Sequence, residues 1–316
     1  MPTAEAVREG DRRALAQAIT LVESSRADHR EEAVALLESV LPATGGSVRV
    51  GITGQPGAGK STFIEALGLH LVDAGHKVAV LAVDPSSTRS GGSILGDKTR
   101  MGELARRPEA YIRPSPSGGT VGGVARRTRE ALLLCEAAGH DVVIVETVGS
   151  GQSDVAVHEM VDVFTLLVPP AGGDELQGIK RGIMELADVV VVTKADGDLA
   201  AAANRTASDH RHAVHLLHGS AEPPPVVSCS SVTGEGVAEV WSAIRAVHDR
   251  LDLTAHRAEQ ARSWLWDEVR ETLLDELRTD PTVAALAPEL EARVTAGTLS
   301  PAAAAGQLLQ TFRSGG

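Results

Sequence analysis

The chain has 316 residues, of which 43% are apolar and 23% are charged, which is ordinary for a globular protein with a sizeable core. Its net charge of −12 argues against general nucleic-acid or anionic-membrane binding, because both need positive patches. Two cysteines exclude a disulfide framework, and no signal core or membrane span is evident, so a soluble cytoplasmic protein is expected.

The N-terminal region is predicted to be helical. Residues 3–41 carry apolar side chains at helical spacing and are predicted to form two helices. Pro42 and the pair Gly45-Gly46 then end the helical pattern. We therefore assign residues 1–46 to an N-terminal helical extension.

From residue 47 the pattern changes to short, continuous apolar runs rich in β-branched residues, which are typical of strands buried on both faces of a parallel sheet. The predicted strands are residues 47–53, 77–84, 141–147, 163–169, 188–196 and 225–231. Helical segments separate most of them, at residues 61–74, 123–138 and 176–187. This alternation predicts an α/β domain with a doubly wound, mostly parallel sheet over residues 47–250.

The remaining residues, 251–316, are predicted to be helical again. Helix starts with an N-cap residue and a first-turn proline are indicated at Asp280-Pro281 and Ser300-Pro301. Because these helices cannot form a large core alone, they should pack on the α/β domain or on a second copy. The first of them has an apolar stripe made of Trp266, Val269, Leu273 and Leu277.

A glycine-rich stretch follows the first predicted strand. Gly54, Gly59, Lys60 and Ser61 match the pattern G-x-x-x-x-G-K-[ST], between a strand and a helix as the motif requires. In such a loop, backbone N–H groups surround phosphate oxygens and the helix N-terminus adds positive potential. Lys60 is predicted to bridge the β- and γ-phosphates of a nucleotide, and the Ser61 hydroxyl to ligate Mg²⁺.

The next two predicted strands end in acidic residues, Asp84 and Glu146. A doubly wound sheet binds its ligands at the strand C-termini, so each carboxylate can hold Mg²⁺ directly or through water. Gly149 would allow its backbone N–H to approach a γ-phosphate. The alternative is that both acids cap helices.

The run VVVVTKAD contains a Thr-Lys-x-Asp pattern at Thr193, Lys194 and Asp196. The Asp196 carboxylate can accept hydrogen bonds from N1–H and the N2 amino group of guanine. Adenine would leave this carboxylate unpaired, which would weaken binding by about 1–3 kcal/mol. The aliphatic part of Lys194 would lie along the base. A backbone N–H for guanine O6 can come from the segment Ser230, Ser231 and Val232.

These motifs together resemble the methylmalonyl-CoA-mutase-associated GTPase family, the MeaB/ArgK-like proteins. Residues 84–101 are similar to the first switch segment of that family, residues 146–154 to its second, and residues 169–188 to a mobile loop associated with partner signalling. One residue departs from the pattern, since Thr193 stands where the family usually has Asn. Signal-recognition GTPases also carry Thr there, so weaker base contacts and unchanged specificity are expected.

The resemblance implies a P-loop GTPase that uses GTP, GDP and Mg²⁺, and a homodimer joined through residues 251–316. It also implies a chaperone that gates adenosylcobalamin delivery to a B12-dependent acyl-CoA mutase of the methylmalonyl-CoA mutase type, and protects or reactivates that enzyme. A cobalamin adenosyltransferase is a further candidate partner. Neither nucleic acid nor a membrane is expected as a partner.

The expected site residues follow from the motifs and from the resemblance. Catalytic roles are expected for Lys60, Glu146 and Asp84, and the resemblance makes Glu146 a candidate to orient the attacking water. The expected Mg²⁺ ligands are Ser61, Asp84, Asp97 and Glu146. The expected nucleotide-binding residues are Gly54, Gln55, Pro56, Gly57, Ala58, Gly59, Lys60, Ser61, Thr62, Gly149, Thr193, Lys194, Asp196, Ser230, Ser231 and Val232.

Other functions remain open at this point. A metallochaperone-type GTPase that inserts nickel would carry Cys or His near the second switch, and residues 146–154 contain neither. An ATPase linked to basic amino-acid transport would need adenine binding, which Asp196 opposes, and a membrane partner, which nothing in the sequence indicates. A small-molecule kinase would need a lid and an acceptor pocket, for which the sequence gives no signal.

Overall fold

The computed structural model describes residues 2–24, 26–83, 101–114, 121–147, 152–170, 181–218 and 222–314. The strands within these ranges are β1 (Val48–Gly54), β2 (Val78–Val83), β3 (Ala110–Arg113), β4 (Val142–Thr147), β5 (Val163–Val168), β6 (Val189–Val192) and β7 (Val226–Ser228). They form one sheet in the order β3-β2-β4-β1-β5-β6-β7, and every neighbouring pair is parallel.

Helices cover this sheet and extend the chain at both ends. The helices of the N-terminal half are α1 (Ala4–Arg8), α2 (Arg12–Val22), α3 (Ala27–Val40), α4 (Lys60–Asp73), α5 (Val121–Ala137) and α6 (Gln152–His158). Those that follow are α7 (Arg181–Leu186), α8 (Ala200–His218), α9 (Val237–His248), α10 (Leu253–Thr279), α11 (Pro281–Thr295) and α12 (Pro301–Ser314).

The predicted doubly wound α/β fold is confirmed. Helices α4 and α9 pack on one face of the sheet, and α5, α6, α7 and α8 contact it from the other side. With both faces covered, β1, β4 and β5 are buried at every residue, which is why these strands appear in the sequence as continuous apolar runs. Burying these runs against the helices provides the main apolar core of the domain.

One strand and one helix boundary were not predicted. The edge strand β3 is only four residues long and ends before Pro114, so it is too short to show a periodic pattern. The prediction of two helices in residues 3–41 was wrong, because Asp11 begins a separate helix there. Its Oδ1 accepts a hydrogen bond from the Ala14 N–H at 2.6 Å and caps α2.

A buried ion pair lies at the N-terminal ends of the central strands. The Arg49 guanidinium donates two hydrogen bonds of 2.9 Å to the Glu136 carboxylate, and both side chains are almost fully buried. Glu136 also accepts hydrogen bonds from the Ser47 hydroxyl at 2.6 Å and the Gly45 N–H at 2.9 Å. Burial alone would raise the pKa of Glu136, but the hydrogen bonds and charge of Arg49 hold it below its ordinary value.

A second ion pair adjoins the first. Arg257, near the start of α10, donates to both carboxylate oxygens of Asp162, at 3.0 and 2.7 Å. It also donates to the backbone carbonyls of Gly45 and Ser47. The buried Asp162 carboxylate accepts a further hydrogen bond from the Arg49 N–H at 2.9 Å. This network fixes the first turns of α10 against the sheet.

The chain divides into two compact units, residues 1–260 and 261–316. In the second unit, α11 and α12 pack against each other. The predicted caps are confirmed, since Asp280 accepts hydrogen bonds from the N–H groups of Thr282 and Val283, and Ser300 accepts one from Ala303. No helix in the described ranges has the length and apolar character needed to cross a membrane. The boundaries at residues 46/47 and 250/251 stay a prediction.

Candidate nucleotide site

The phosphate loop connects β1 to α4. Gly54 has φ +154°, and a Cβ there would lie 2.5 Å from the carbonyl oxygen of Leu167 on β5. Only glycine therefore lets the loop leave the sheet so close to its neighbour. Gly59 is the N-cap of α4 with φ +90°, so the first N–H groups of the helix open toward the loop.

Lys60 is folded back on this loop. Its ammonium donates hydrogen bonds to the carbonyl oxygens of Gly54 at 2.6 Å and Gln55 at 3.3 Å. Burial lowers the pKa of Lys60, and the negative charges of Glu146 and Asp154 oppose that shift. The ammonium therefore lies in a half-buried position where phosphate oxygens can replace the carbonyls as its partners.

Ser61 and Glu146 are brought together across the sheet, as expected for ligands of one metal ion. The Ser61 hydroxyl donates to Glu146 Oε1 at 3.1 Å. This contact forms because Ile52 of β1 is in register with Glu146 of β4, which places the end of β4 beside the phosphate loop. A hydroxyl and a carboxylate are hard oxygen donors, the type that Mg²⁺ prefers. Asp84, Asp97 and Gly149 lie outside the described residues.

Thr193, which directly follows β6, is hydrogen-bonded to the phosphate loop. The buried Thr193 hydroxyl donates to the Ala58 carbonyl at 2.7 Å and to the Val168 carbonyl at 3.3 Å. Lys194, which has φ +54°, donates from its ammonium to the Gly57 carbonyl at 2.8 Å. Thr193 and Lys194 therefore hold residues 193–196, hereafter the base loop, against the phosphate loop.

The predicted base-contacting groups also lie close in the fold. The Ala195 N–H donates to the Cys229 carbonyl at 3.0 Å and so joins the loop of Asp196 to the loop after β7. Ser230 Oγ accepts from the N–H groups of Val232 and Thr233 at 3.3 and 3.2 Å, which occupies the Val232 donor.

Two of the predicted base-contacting groups have no hydrogen-bond partner within the described ranges. Asp196 is half-buried, and its carboxylate has no hydrogen-bond partner in the part of the chain that the structure describes. The same holds for the Ser231 N–H among the described residues. The remaining predicted loop positions differ in exposure: Ala58 is buried, Gln55 is half-buried, and Pro56, Gly57 and Thr62 are exposed.

One cluster of buried side chains next to this site was not predicted from the sequence. The Asp154 carboxylate, on α6, accepts hydrogen bonds from the hydroxyls of Thr53 at 2.7 Å and Thr147 at 2.6 Å. All three side chains are almost completely buried. The available signal was a threonine near the end of each of two predicted strands, Thr53 and Thr147.

A match to a family model identifies the family to which this chain belongs. The family model described as "Methylmalonyl Co-A mutase-associated GTPase MeaB" matches residues 15–282, far more than half of the chain. The chain belongs to the MeaB family. It is therefore a P-loop GTPase, an enzyme that hydrolyses GTP, and the predicted family and enzyme class are confirmed.

Individual MeaB relatives agree with this assignment. "Methylmalonic aciduria type A homolog, mitochondrial" of Mus musculus is 49% identical over 97% of this chain and 78% of its own length. "GTPase ArgK" of Escherichia coli is 46% identical over 98% of this chain and 95% of its own length. A crystal structure described as a LAO/AO transport system kinase matches with a TM-score of 0.75 and 39% identity, covering 98% of this chain and 96% of that one.

Proposed function

We propose that this GTPase assists an adenosylcobalamin-dependent acyl-CoA mutase of the methylmalonyl-CoA mutase type. GTP binding and hydrolysis would gate the delivery of adenosylcobalamin to that mutase and protect or reactivate it. The observation that carries the proposal is the family match over residues 15–282. The name of the mouse relative, which refers to methylmalonic aciduria, supports the same class of partner.

The proposed chemistry is the transfer of the γ-phosphoryl group of GTP to water, which needs positioning and charge neutralisation. Lys60 would exchange its carbonyl partners for β- and γ-phosphate oxygens, and the backbone N–H groups of residues 57–62 would surround the phosphates. Glu146 would orient the attacking water. The contact between Ser61 and Glu146 at 3.1 Å supports this placement.

Mg²⁺, when bound, would neutralise charge shared by the β- and γ-phosphates. Ser61 and Glu146 would hold it, since both offer oxygen donors at one point of the site. Asp84 and Asp97 stay predicted ligands, and Gly149 a predicted contact to the γ-phosphate.

Guanine selection would depend on Asp196 and on a backbone donor in the loop after β7. Of the three predicted positions in that loop, Ser231 is the best candidate, because the Val232 N–H already donates to Ser230 Oγ. Thr193 and Lys194 would act mainly by holding the base loop against the phosphate loop. Their carbonyl partners on the phosphate loop support this role.

Calorimetry with GDP, GTP and ATP tests the nucleotide half of the proposal. The wild-type chain should prefer guanine nucleotides, and Asp196→Ala should lose that preference, by about tenfold or more. Asp198→Ala is the matched control, since Asp198 is an exposed acid in the same turn. An Asp196→Ala variant that keeps the wild-type preference would remove the proposed base site.

The proposed action on the mutase needs a separate measurement. Adding purified methylmalonyl-CoA mutase should raise the rate of GTP hydrolysis, and the two proteins should bind each other with an affinity that depends on the nucleotide. ATP in place of GTP is the control for specificity. If neither the rate nor the binding responds to the mutase while guanine selectivity holds, the chain remains a GTPase and the mutase role is abandoned.

The homodimer is proposed to form through α10. An exposed apolar stripe supports it: Leu265, Trp266, Val269, Leu273 and Leu274 are all exposed on this helix. Leu273→Glu should convert a dimer to a monomer in light scattering after gel filtration. Arg278→Glu, at an exposed position of the same helix, should leave the mass unchanged. A cobalamin adenosyltransferase partner and a cytoplasmic location stay predictions from the sequence.

A further inference from the structure

The buried cluster formed by Thr53, Thr147 and Asp154, hereafter the threonine–aspartate cluster, has no part in the chemistry proposed above. Both threonine hydroxyls donate to the same oxygen, Asp154 Oδ1, at 2.7 and 2.6 Å, and the two hydroxyls lie 3.0 Å apart. Asp154 is completely buried. A carboxylate in such a position is unfavourable unless its hydrogen bonds are satisfied, which points to a specific role.

The chain positions of the cluster suggest what that role is. Thr53 directly precedes Gly54, where the phosphate loop begins, and Thr147 directly follows Glu146. Asp154 lies in the first turn of α6. One oxygen atom therefore joins the end of β1, the end of β4 and the first turn of α6.

This junction lies beside a contact that the proposed mechanism needs. Glu146 reaches Ser61 only because the ends of β1 and β4 lie side by side. Thr53 and Thr147 directly follow the paired residues Ile52 and Glu146 on these strands, and Asp154 holds the two threonine side chains together on the face of the sheet that α6 covers. The charge of Asp154 also acts on Lys60, opposing the lowering of the Lys60 pKa by burial.

We propose that Asp154 is a positioning residue for GTP hydrolysis: its Oδ1 holds the end of β4, and with it Glu146, in place against the phosphate loop. The inference rests on the roles proposed above for Glu146 and Lys60. A displacement of about 1 Å at a reacting group can lower a rate about 100-fold. Losing the cluster should therefore reduce kcat far more than it reduces nucleotide affinity.

Thr147→Val is the main test, because it removes one hydroxyl at nearly constant volume. It should lower kcat for GTP by about tenfold or more, while KM and the Kd for GDP change by less than about threefold. Thr147→Ser, which keeps the hydroxyl, should recover most of the rate. Asp154→Ala should lower kcat further, and Asp154→Asn, which keeps an acceptor at Oδ1, should recover part of it.

Thr165→Val is the matched control. Thr165 is a completely buried threonine on the neighbouring strand β5, and its hydroxyl has no hydrogen-bond partner among the described residues. It pairs in register with Ile52, close to the cluster, yet takes no part in it. Removing its hydroxyl should leave kcat within about twofold of the wild type. An equal loss in Thr165→Val and Thr147→Val would overturn the inference, because it would show a general response to substitution in the sheet.

A double-mutant cycle with Glu146→Gln separates positioning from a merely structural effect. If the cluster acts through Glu146, the variant Glu146→Gln/Thr147→Val should be no slower than Glu146→Gln alone. Additive losses in kcat, or losses confined to KM and nucleotide affinity, would overturn the inference. The same experiment keeps the two proposals apart: full activity of Glu146→Gln would remove the role proposed for Glu146. A slow Glu146→Gln beside a fully active Thr147→Val and Asp154→Ala would remove only the role of the cluster.

Discussion

Both ends of the central sheet carry charged and polar groups, but the hydrogen-bond partners of these groups differ between the two ends. At the N-terminal ends of the strands, Glu136 and Asp162 accept hydrogen bonds from arginines and from backbone N–H groups of the same chain. At the C-terminal ends, the Asp196 carboxylate and the Ser231 N–H have no such partner within the described residues. The N-terminal network satisfies its own charged groups and so stabilises the fold, whereas the Asp196 carboxylate and the Ser231 N–H are available to a ligand.

The strongest way to break this comparison is to remove one partner from the N-terminal network. Arg257→Met should lower the apparent free energy of unfolding by about 3–5 kcal/mol, because it leaves Asp162 buried with fewer partners. Nucleotide selectivity should not change. Arg270→Met is the control, since Arg270 is a largely exposed partner of Asp267 and should cost less than about 1 kcal/mol. Denaturant unfolding measures both, and equal effects would show that the network is not a stabilising unit.

The next effect concerns the open end of the sheet. Lys60→Ala should lower kcat for GTP by about 10²–10³-fold, because the loop loses the charge that neutralises the phosphates. Its unfolding midpoint should stay near that of the wild type. Lys77→Ala, an exposed lysine at the opposite end of the sheet, should keep full activity. Steady-state kinetics and thermal unfolding of the two variants give the contrast directly, and a fast Lys60→Ala enzyme would contradict the proposed site.

A smaller effect is expected where the two loops of the site meet. Thr193→Val removes the hydroxyl that donates to the Ala58 carbonyl, so GDP and GTP should bind more weakly by about 1–2 kcal/mol. The preference for guanine over adenine should remain, because the Thr193 hydroxyl contacts the protein. Calorimetry of this variant beside Asp196→Ala checks the distinction. A change of preference in Thr193→Val would place Thr193 in contact with the base.

The smallest expected effect near neutral pH is the pH dependence of the free energy of unfolding that comes from Glu136. The pKa of Glu136 is lower in the folded chain than its ordinary value of 4.5, so its contribution to stability is complete above that value and is lost as the pH falls through the folded pKa. The stability difference between the wild type and Glu136→Gln should therefore be constant from pH 7 to about pH 5 and shrink in stronger acid. A difference that grows in acid would contradict this sign.

The sequence was sufficient to predict the features that are formed by continuous stretches of residues. The phosphate loop, the base motif at Asp196 and the apolar runs of the buried strands are all continuous stretches, so their types and order were predictable. The contact between Ser61 and Glu146 was also within reach, because the phosphate loop and Glu146 both lie at the C-terminal edge of the sheet, where a doubly wound fold binds its ligands.

Contacts between distant residues were out of reach. Nothing in the sequence near Asp154 indicates that its partner is Thr53, and the pairs Arg49–Glu136 and Arg257–Asp162 join segments far apart in the chain. Strand β3 was missed for a different reason, since four residues cannot display a period. The sequence therefore predicted the loops of the candidate site but not the buried side chains that hold them.

The left-handed backbone at Lys194 has a consequence for how the nucleotide enters. A residue other than glycine pays about 1–2 kcal/mol for this conformation, and here the ammonium bond to Gly57 accompanies it. A loop already bent before guanosine arrives has little freedom left to lose, so association is expected to proceed with a small entropic penalty and without a slow rearrangement of this segment.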